Sequence, residues 1–144
     1  MSRPNLRAKP LLPAASHDAL LDDMLQGYIA CALWSSHDNS DPETGGDPLD
    51  DNYGPEHITP DTLAILREDC TAFLSTVGEH VAAGPGDASQ AGHDFWLTRN
   101  GHGTGFWDRD DNVWPQPARD ALDTHARTYG ELHLYVGDDG MIHA

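Results

Sequence analysis

The stretch His-Asp-Phe-Trp-Leu-Thr-Arg-Asn-Gly-His-Gly-Thr-Gly-Phe-Trp-Asp-Arg, residues 93–109, decides how this 144-residue chain is read. Large apolar residues alternate with polar ones on either side of Asn100-Gly101, a dipeptide suited to the positive φ of a tight hairpin turn. The pattern predicts a β-hairpin. A two-residue turn pairs Arg99 with His102, and a four-residue turn pairs Arg99 with Thr104. These registers differ by two residues, so every side chain keeps its face in either one. Phe95, Leu97, Arg99, His102, Phe106 and Asp108 share one face, and Asp94, Trp96, Thr98, Trp107 and Arg109 the other. Both faces are aromatic, so both are expected to be at least partly covered.

Upstream, Leu21, Met24, Leu25, Tyr28, Ile29 and Ala32 recur at helical spacing after Ser16 and Asp18, which predicts an amphipathic helix from Ser16 to about Trp34. Gly27 within it costs about 1 kcal/mol relative to Ala, which marks a close packing contact or a tolerated defect. Thr59-Pro60-Asp61 is a strong helix start, and Leu63, Leu66, Cys70, Phe73, Leu74, Val77 and Val81 follow it up to Gly84-Pro85-Gly86. Downstream of residue 109, residues 118–129 predict a short helix closed by Gly130. Leu132, Leu134 and Val136 alternate as a strand, and Gly137-Asp138-Asp139-Gly140 turns it toward a last strand at Met141-Ile142. The predicted order is ααββαββ: an α+β domain over residues 16–144 with two N-terminal helices, a hairpin, a short helix, a C-terminal hairpin and an antiparallel sheet. Residues 1–15 read as a flexible basic tail, and residues 35–58 as a long acidic loop.

The charge is the compositional outlier. Twenty-four acids face eight Lys and Arg, for a net −16, and residues 16–144 hold all the acids and five of the bases, a net −19. Such a body repels nucleic acid and anionic membrane, and it favours a basic partner. Two cysteines without metal or redox spacing read as buried thiols, and the chain carries no apolar run of membrane-spanning length. A soluble cytoplasmic protein is expected.

Three sets of residues could carry chemistry. His93, Arg99, His102 and Asp108 form a His/Arg/Asp candidate catalytic or anion-binding set on the hairpin, in which an imidazole beside a carboxylate moves protons and Arg99 holds an anion. Against it stands the plainer reading that these polar residues satisfy one another, with Asp94 pairing to Arg109 across the strands. Asp38, Asp41, Glu43, Asp47, Asp50 and Asp51, with Trp96 and Trp107, are candidates for contact with a protein partner. Calcium does not fit this loop by EF-hand spacing, because from Asp38 the third acidic slot is Pro42 and the required glycine is Glu43. Asp138 and Asp139 suit a tight turn sterically before they suit magnesium. No metal and no cofactor is assigned.

Three segments together resemble a functionally uncharacterised family of small acidic proteins encoded by bacteriophages and prophages. They are Ala32-Leu33-Trp34-Ser35-Ser36 with Gly46-Asp47-Pro48-Leu49-Asp50, then 91–103 with Gly105-Phe106-Trp107-Asp108, then Leu134-Tyr135-Val136-Gly137-Asp138-Asp139-Gly140. The likeness spans residues 20–143, is most specific in the hairpin segment, and leaves the basic tail unmatched. It implies a viral or prophage gene product in the host cytoplasm and transfers no catalytic residue. The expected function is binding of a host or defence protein through its basic surface, in one form as a nucleic-acid mimic. The alternatives are a small enzyme or anion-binding protein centred on 93–109, and a minor virion or structural component.

Overall fold

The described residues form four α-helices and one small hairpin: α1 Ala14–Ser35, α2 Pro60–Ala83, α3 Ala88–Arg99, α4 Gln116–Arg127, β1 Tyr135–Val136 and β2 Ile142–His143. The computed structural model describes residues 14–40, 43 and 46–144, with side chains from residue 18 onward. Asp41 and nearly all of the basic tail predicted for 1–15 lie outside the described residues.

The α+β order ααββαββ is corrected to a mainly helical fold whose described residues contain a single two-stranded antiparallel sheet, with Tyr135 paired to His143 and Val136 to Ile142. The predicted hairpin at 93–109 is the element that fails. Its first half belongs to α3, which starts earlier, where the Asp87 carboxylate accepts the Gln90 N–H at 2.7 Å as an N-cap. Asn100-Gly101 ends that helix rather than turning a hairpin. Gly101 takes φ +66°, its N–H bonds the Thr98 carbonyl at 3.2 Å, and the His102 N–H bonds the Leu97 carbonyl at 3.1 Å. This is the Schellman arrangement, which uses the same positive φ that a hairpin turn would. The second half is a short 3-10 turn, Phe106–Asp108.

α3 is buried nearly all round, from Ala88 through Phe95 and Trp96 to Arg99. It lies directly against α1. A Cβ on Gly27 would stand 2.0 Å from the Ser89 carbonyl oxygen, and one on Gly92 would stand 2.0 Å from the Met24 carbonyl oxygen. Two glycines, one per helix, therefore let the backbones touch, which accounts for Gly27 in mid-helix. Tyr28, Phe95 and Phe73 stack through the centre with ring centroids 4.9 and 4.4 Å apart, and Leu66, Cys70, Phe106, Leu122 and Ile142 close around them. Cys31 and Cys70 are free and buried.

α2 begins as the sequence indicates, with the Thr59 hydroxyl accepting the Thr62 N–H and Pro60 at the first helical position. The described part of the 35–58 segment is folded back on the end of α1. The Asp38 N–H bonds the Asp47 carbonyl at 2.8 Å and the Leu49 N–H bonds the Ser36 carbonyl at 2.9 Å, which seats Leu49 wholly inside the core. The C-terminal hairpin is tied to the start of α2 by the Thr59 N–H bonding the Ile142 carbonyl at 3.1 Å. Among the described residues no helix is long and apolar enough to cross a membrane.

Candidate functional site

The candidate set His93, Arg99, His102 and Asp108 is dispersed. Arg99 ends α3 with its guanidinium turned into the protein. Nη1 donates to the Asp69 carboxylate and the Tyr28 hydroxyl, each at 2.7 Å, and Nε donates to the Gly130 carbonyl at 2.8 Å. Nη2 reaches the Tyr129 carbonyl at 3.3 Å, and the planar cation lies over the Phe95 and Tyr129 rings. One side chain thus joins α1, α2, α3 and the segment after α4. Burial drives the Tyr28 hydroxyl well above its ordinary pKa, the Arg99 charge opposes that and the Asp69 charge adds to it, so the phenol stays protonated.

Asp94, one residue along from His93, is a second internal anchor. Its fully buried carboxylate accepts Arg109 Nη2 at 2.7 Å and Nε at 3.0 Å, Gln90 Nε2 at 3.0 Å, and Trp114 Nε1 at 2.9 Å. The pairing of Asp94 with Arg109 is present, but it joins α3 to a turn rather than two strands. Arg119 extends the cluster, bonding the Arg109 carbonyl, Gln116 and Asp111.

His93 is half-buried, and its ring stacks against Trp34 with centroids 6.2 Å apart. Its Nδ1 is buried without a hydrogen-bond partner. Burial lowers its pKa, the Asp94 charge works against that, and Arg109 adds to it. Asp108 is exposed and closes its own turn, accepting the Gly105 N–H at 2.9 Å and the Thr104 hydroxyl at 2.7 Å. What burial it has raises its pKa, yet these bonds with the Arg109 charge hold it below the usual carboxylate value. His102 is exposed and projects from the turn after α3.

Among the protein-contact candidates, Glu43, Asp47, Asp50 and Asp51 are exposed and Asp38 is half-exposed. The Asp38 carboxylate is drawn onto the Ser40 N–H and hydroxyl, which lower its pKa against slight desolvation. Trp107 is exposed. Trp96 is corrected: it is only 1% exposed, set edge-on to Tyr28, with its indole N–H bonded to the Ser35 hydroxyl at 2.9 Å. Because α3 is a helix rather than a strand, Trp96 and Trp107 do not share a face. Asp139 is engaged by the Met141 N–H and by His143 Nε2, so it serves the turn that joins β1 to β2. No group of three or more His, Cys, Asp or Glu among the described residues is arranged to hold a metal ion.

His102 does border a depression that the sequence reading did not foresee. A cavity of about 420 Å³ opens between the end of α1, the end of α3 and the chain entering β1, with Ser36, His37, Asn39, His102, His133 and Tyr135 on its walls. A second, of about 380 Å³, adjoins it on the side of Trp34 and Thr104, and the two share Ser35, His37 and His102. Trp96 and the Ser35 hydroxyl, which donates to the Cys31 carbonyl at 2.7 Å, brace the floor. The Asn100 amide bridges two walls, donating to the Trp96 carbonyl at 3.0 Å and accepting the Leu132 N–H at 2.9 Å. Three segments far apart in the sequence meet at this groove, through Trp34 and Ser36, through His102, and through Tyr135, and no local sequence signal marks their meeting. Comparison with protein-family models, with curated proteins and with solved structures finds no match.

Proposed function

We propose that this chain is a small acidic accessory protein of phage type that acts in the bacterial host cytoplasm by binding the basic surface of a host or defence protein. Its sharpest form is a mimic of nucleic-acid charge. One observation carries the reading: every arginine from residue 16 onward is paired with an aspartate of the chain itself. The pairs are Arg67 with Asp22, Arg99 with Asp69, Arg109 with Asp94, Arg119 with Asp111 and Arg127 with Asp123. With its cations spent internally, a body of net −19 presents a surface dominated by carboxylate. Asp18 and Asp23 stand exposed on α1, and Asp47, Asp50, Asp51 and Glu56 stand exposed at the end where the 35–58 segment folds back. Duplex DNA sets the standard for such a surface, with one charge per about 1.7 Å.

The anchoring of Asp94 and Arg99 supports binding over catalysis. The charged groups best placed for chemistry are held by the scaffold.

The test immobilises the full chain and applies the heparin-binding fraction of a bacterial lysate. Retention of a defined basic protein at low salt, its displacement by a 20-base-pair duplex, and its release at 1 M NaCl are expected. At that salt the screening length falls to about 3 Å. Retention undiminished at 1 M, or no retention at low salt, would falsify the reading.

A further inference from the structure

We infer that the groove running from Trp34 to Tyr135 is a binding site for a neutral oligosaccharide, independent of the acidic surface. The two cavities share Ser35, His37 and His102, so they form one trough with two lobes, each within the range of about 300–1,000 Å³ typical of small-ligand sites.

The lining sets the charge of the ligand. Fifteen residues line the two lobes and none is Asp, Glu, Lys or Arg, in a chain where 22% of residues are charged. Random sampling would place about three charges there. Asp38, between His37 and Asn39, is turned onto Ser40, and Glu131 is bonded to His133 Nε2 at 3.0 Å. With no fixed cation in the wall and a body of −19 around it, the trough disfavours phosphates and carboxylates. With no carboxylate in the wall, it offers a cationic ligand no ion pair.

The lining also sets the ligand's texture. His37, His102, Asn39 and Ser36 bring donors and acceptors from two sides, which suits a ligand dense in hydroxyls. Each lobe is bounded by a large exposed aromatic: Trp34 is 58% exposed and Tyr135 is 54% exposed. Each is also backed on one side by an imidazole. His93 stacks on Trp34, and His143 stacks on Tyr135 with centroids 5.5 Å apart and planes 19° from parallel. Trp34 lines one lobe and Tyr135 the other, so each exposed ring can offer a flat apolar surface to a ligand there. A pyranose has a C–H face of that kind, with hydroxyls around its edge, and two platforms with polar groups between them suit a ligand of more than one sugar.

The experiment titrates the full chain with maltohexaose, cellopentaose and N-acetylated chitopentaose, following tryptophan emission and heat, with a polyproline decamer as the peptide arm. At least one sugar is expected to bind with a Kd below about 1 mM. Trp34→Ala and Tyr135→Ala should each weaken that binding about tenfold or more. His102→Ala should weaken it too, while Trp107→Ala, an exposed tryptophan outside the groove, leaves it unchanged. Raising NaCl to 1 M should not alter it, which separates this site from salt-sensitive capture of a basic protein. Three sugars silent at about 10 mM, binding of the peptide in their place, or sugar binding that survives the loss of both platforms would overturn the assignment.

Discussion

Trp114 donates its indole N–H to the Asp94 carboxylate across 2.9 Å, with both side chains wholly buried. The indole is in turn clasped by glycines, because a Cβ on Gly84 or Gly86 would come within 2.8 or 2.9 Å of its ring carbons. Asp94 thus pins the start of the α2–α3 turn, the Arg109 turn and the approach to α4 onto one buried charge. A buried carboxylate stabilises only while fully bonded, and removing it strands its partners. Asp94→Ala is expected to cost about 3–5 kcal/mol. Trp114→Phe, which removes one bond to a charged acceptor, should cost about 1.5–3 kcal/mol. Urea unfolding reads both, and an Asp94→Ala midpoint equal to wild type would rule out the anchoring role.

Arg99 offers a second test, because its function in the fold depends on shape as well as charge. The guanidinium reaches Asp69, Tyr28, Gly130 and Tyr129 at once, and a lysine ammonium cannot reproduce that fork. Arg99→Lys should lose about 2–3 kcal/mol by urea unfolding although the charge is kept. An unchanged free energy would show that charge alone suffices.

The contrast between helices α2 and α3 shows what the sequence could reveal. α2 has one buried stripe, a hydroxyl cap and a proline at its first position, and each of these is written locally. α3 is buried on nearly every side, so its apolar residues trace no stripe, and Phe95, Leu97 and Arg99 in alternation read as a strand. Asn100-Gly101 reinforced that reading, since a positive φ serves a helix end and a hairpin equally. The Asp87 cap was the available counter-signal. The groove was harder to see, because its walls come from residues about a hundred positions apart. Arg99 looked like site chemistry because sequence shows a charge without showing its partners.

Two glycines in helices should respond oppositely to the same substitution. Gly92→Ala forces a Cβ to within 2.0 Å of the Met24 carbonyl oxygen, so α1 and α3 must part, at a cost of about 1–3 kcal/mol or more. At Gly78 the added Cβ meets only Leu74 side-chain carbons at 3.5 Å, ordinary contact, and the helix gains about 0.8–1 kcal/mol of propensity. Thermal midpoints moving apart in this way are the expected result. A Gly78→Ala protein less stable than wild type would contradict the ordinary contact distance found for that Cβ.

Cys31 and Cys70 are expected to be silent toward thiol reagents at pH 8 in the folded chain. Burial and the Asp94 charge push the Cys31 thiol up to about 12, and burial with the Asp69 charge raises Cys70 further. Both should react on addition of denaturant, and rapid labelling of the native protein would show that the α1 and α2 interfaces open readily.

Mild acid should weaken the fold through two histidines. Burial holds the pKa values of His93 and His125 below the ordinary 6.5. The Asp94 charge opposes the shift at His93 and Arg109 reinforces it; His125 sits against Phe73 and Tyr129. Below pH 6.5 the unfolded chain takes up protons at these positions that the folded chain resists. Stability linked to them is therefore complete above 6.5 and falls as pH drops from 6.5 toward their folded values. The lowered carboxylates Asp38, Asp108 and Asp139 act in the same direction, but only once pH falls below their ordinary value of 3.8. Between pH 7.5 and 5 the histidines are thus the local source of the decline, and easing of carboxylate repulsion in the −16 chain begins mainly below that window. His93→Gln and His125→Gln should each flatten the unfolding free energy across it, and the double variant should flatten it most. A wild-type profile that is already level from 7.5 to 5 would mean that the buried Nδ1 of His93 accepts its proton without penalty.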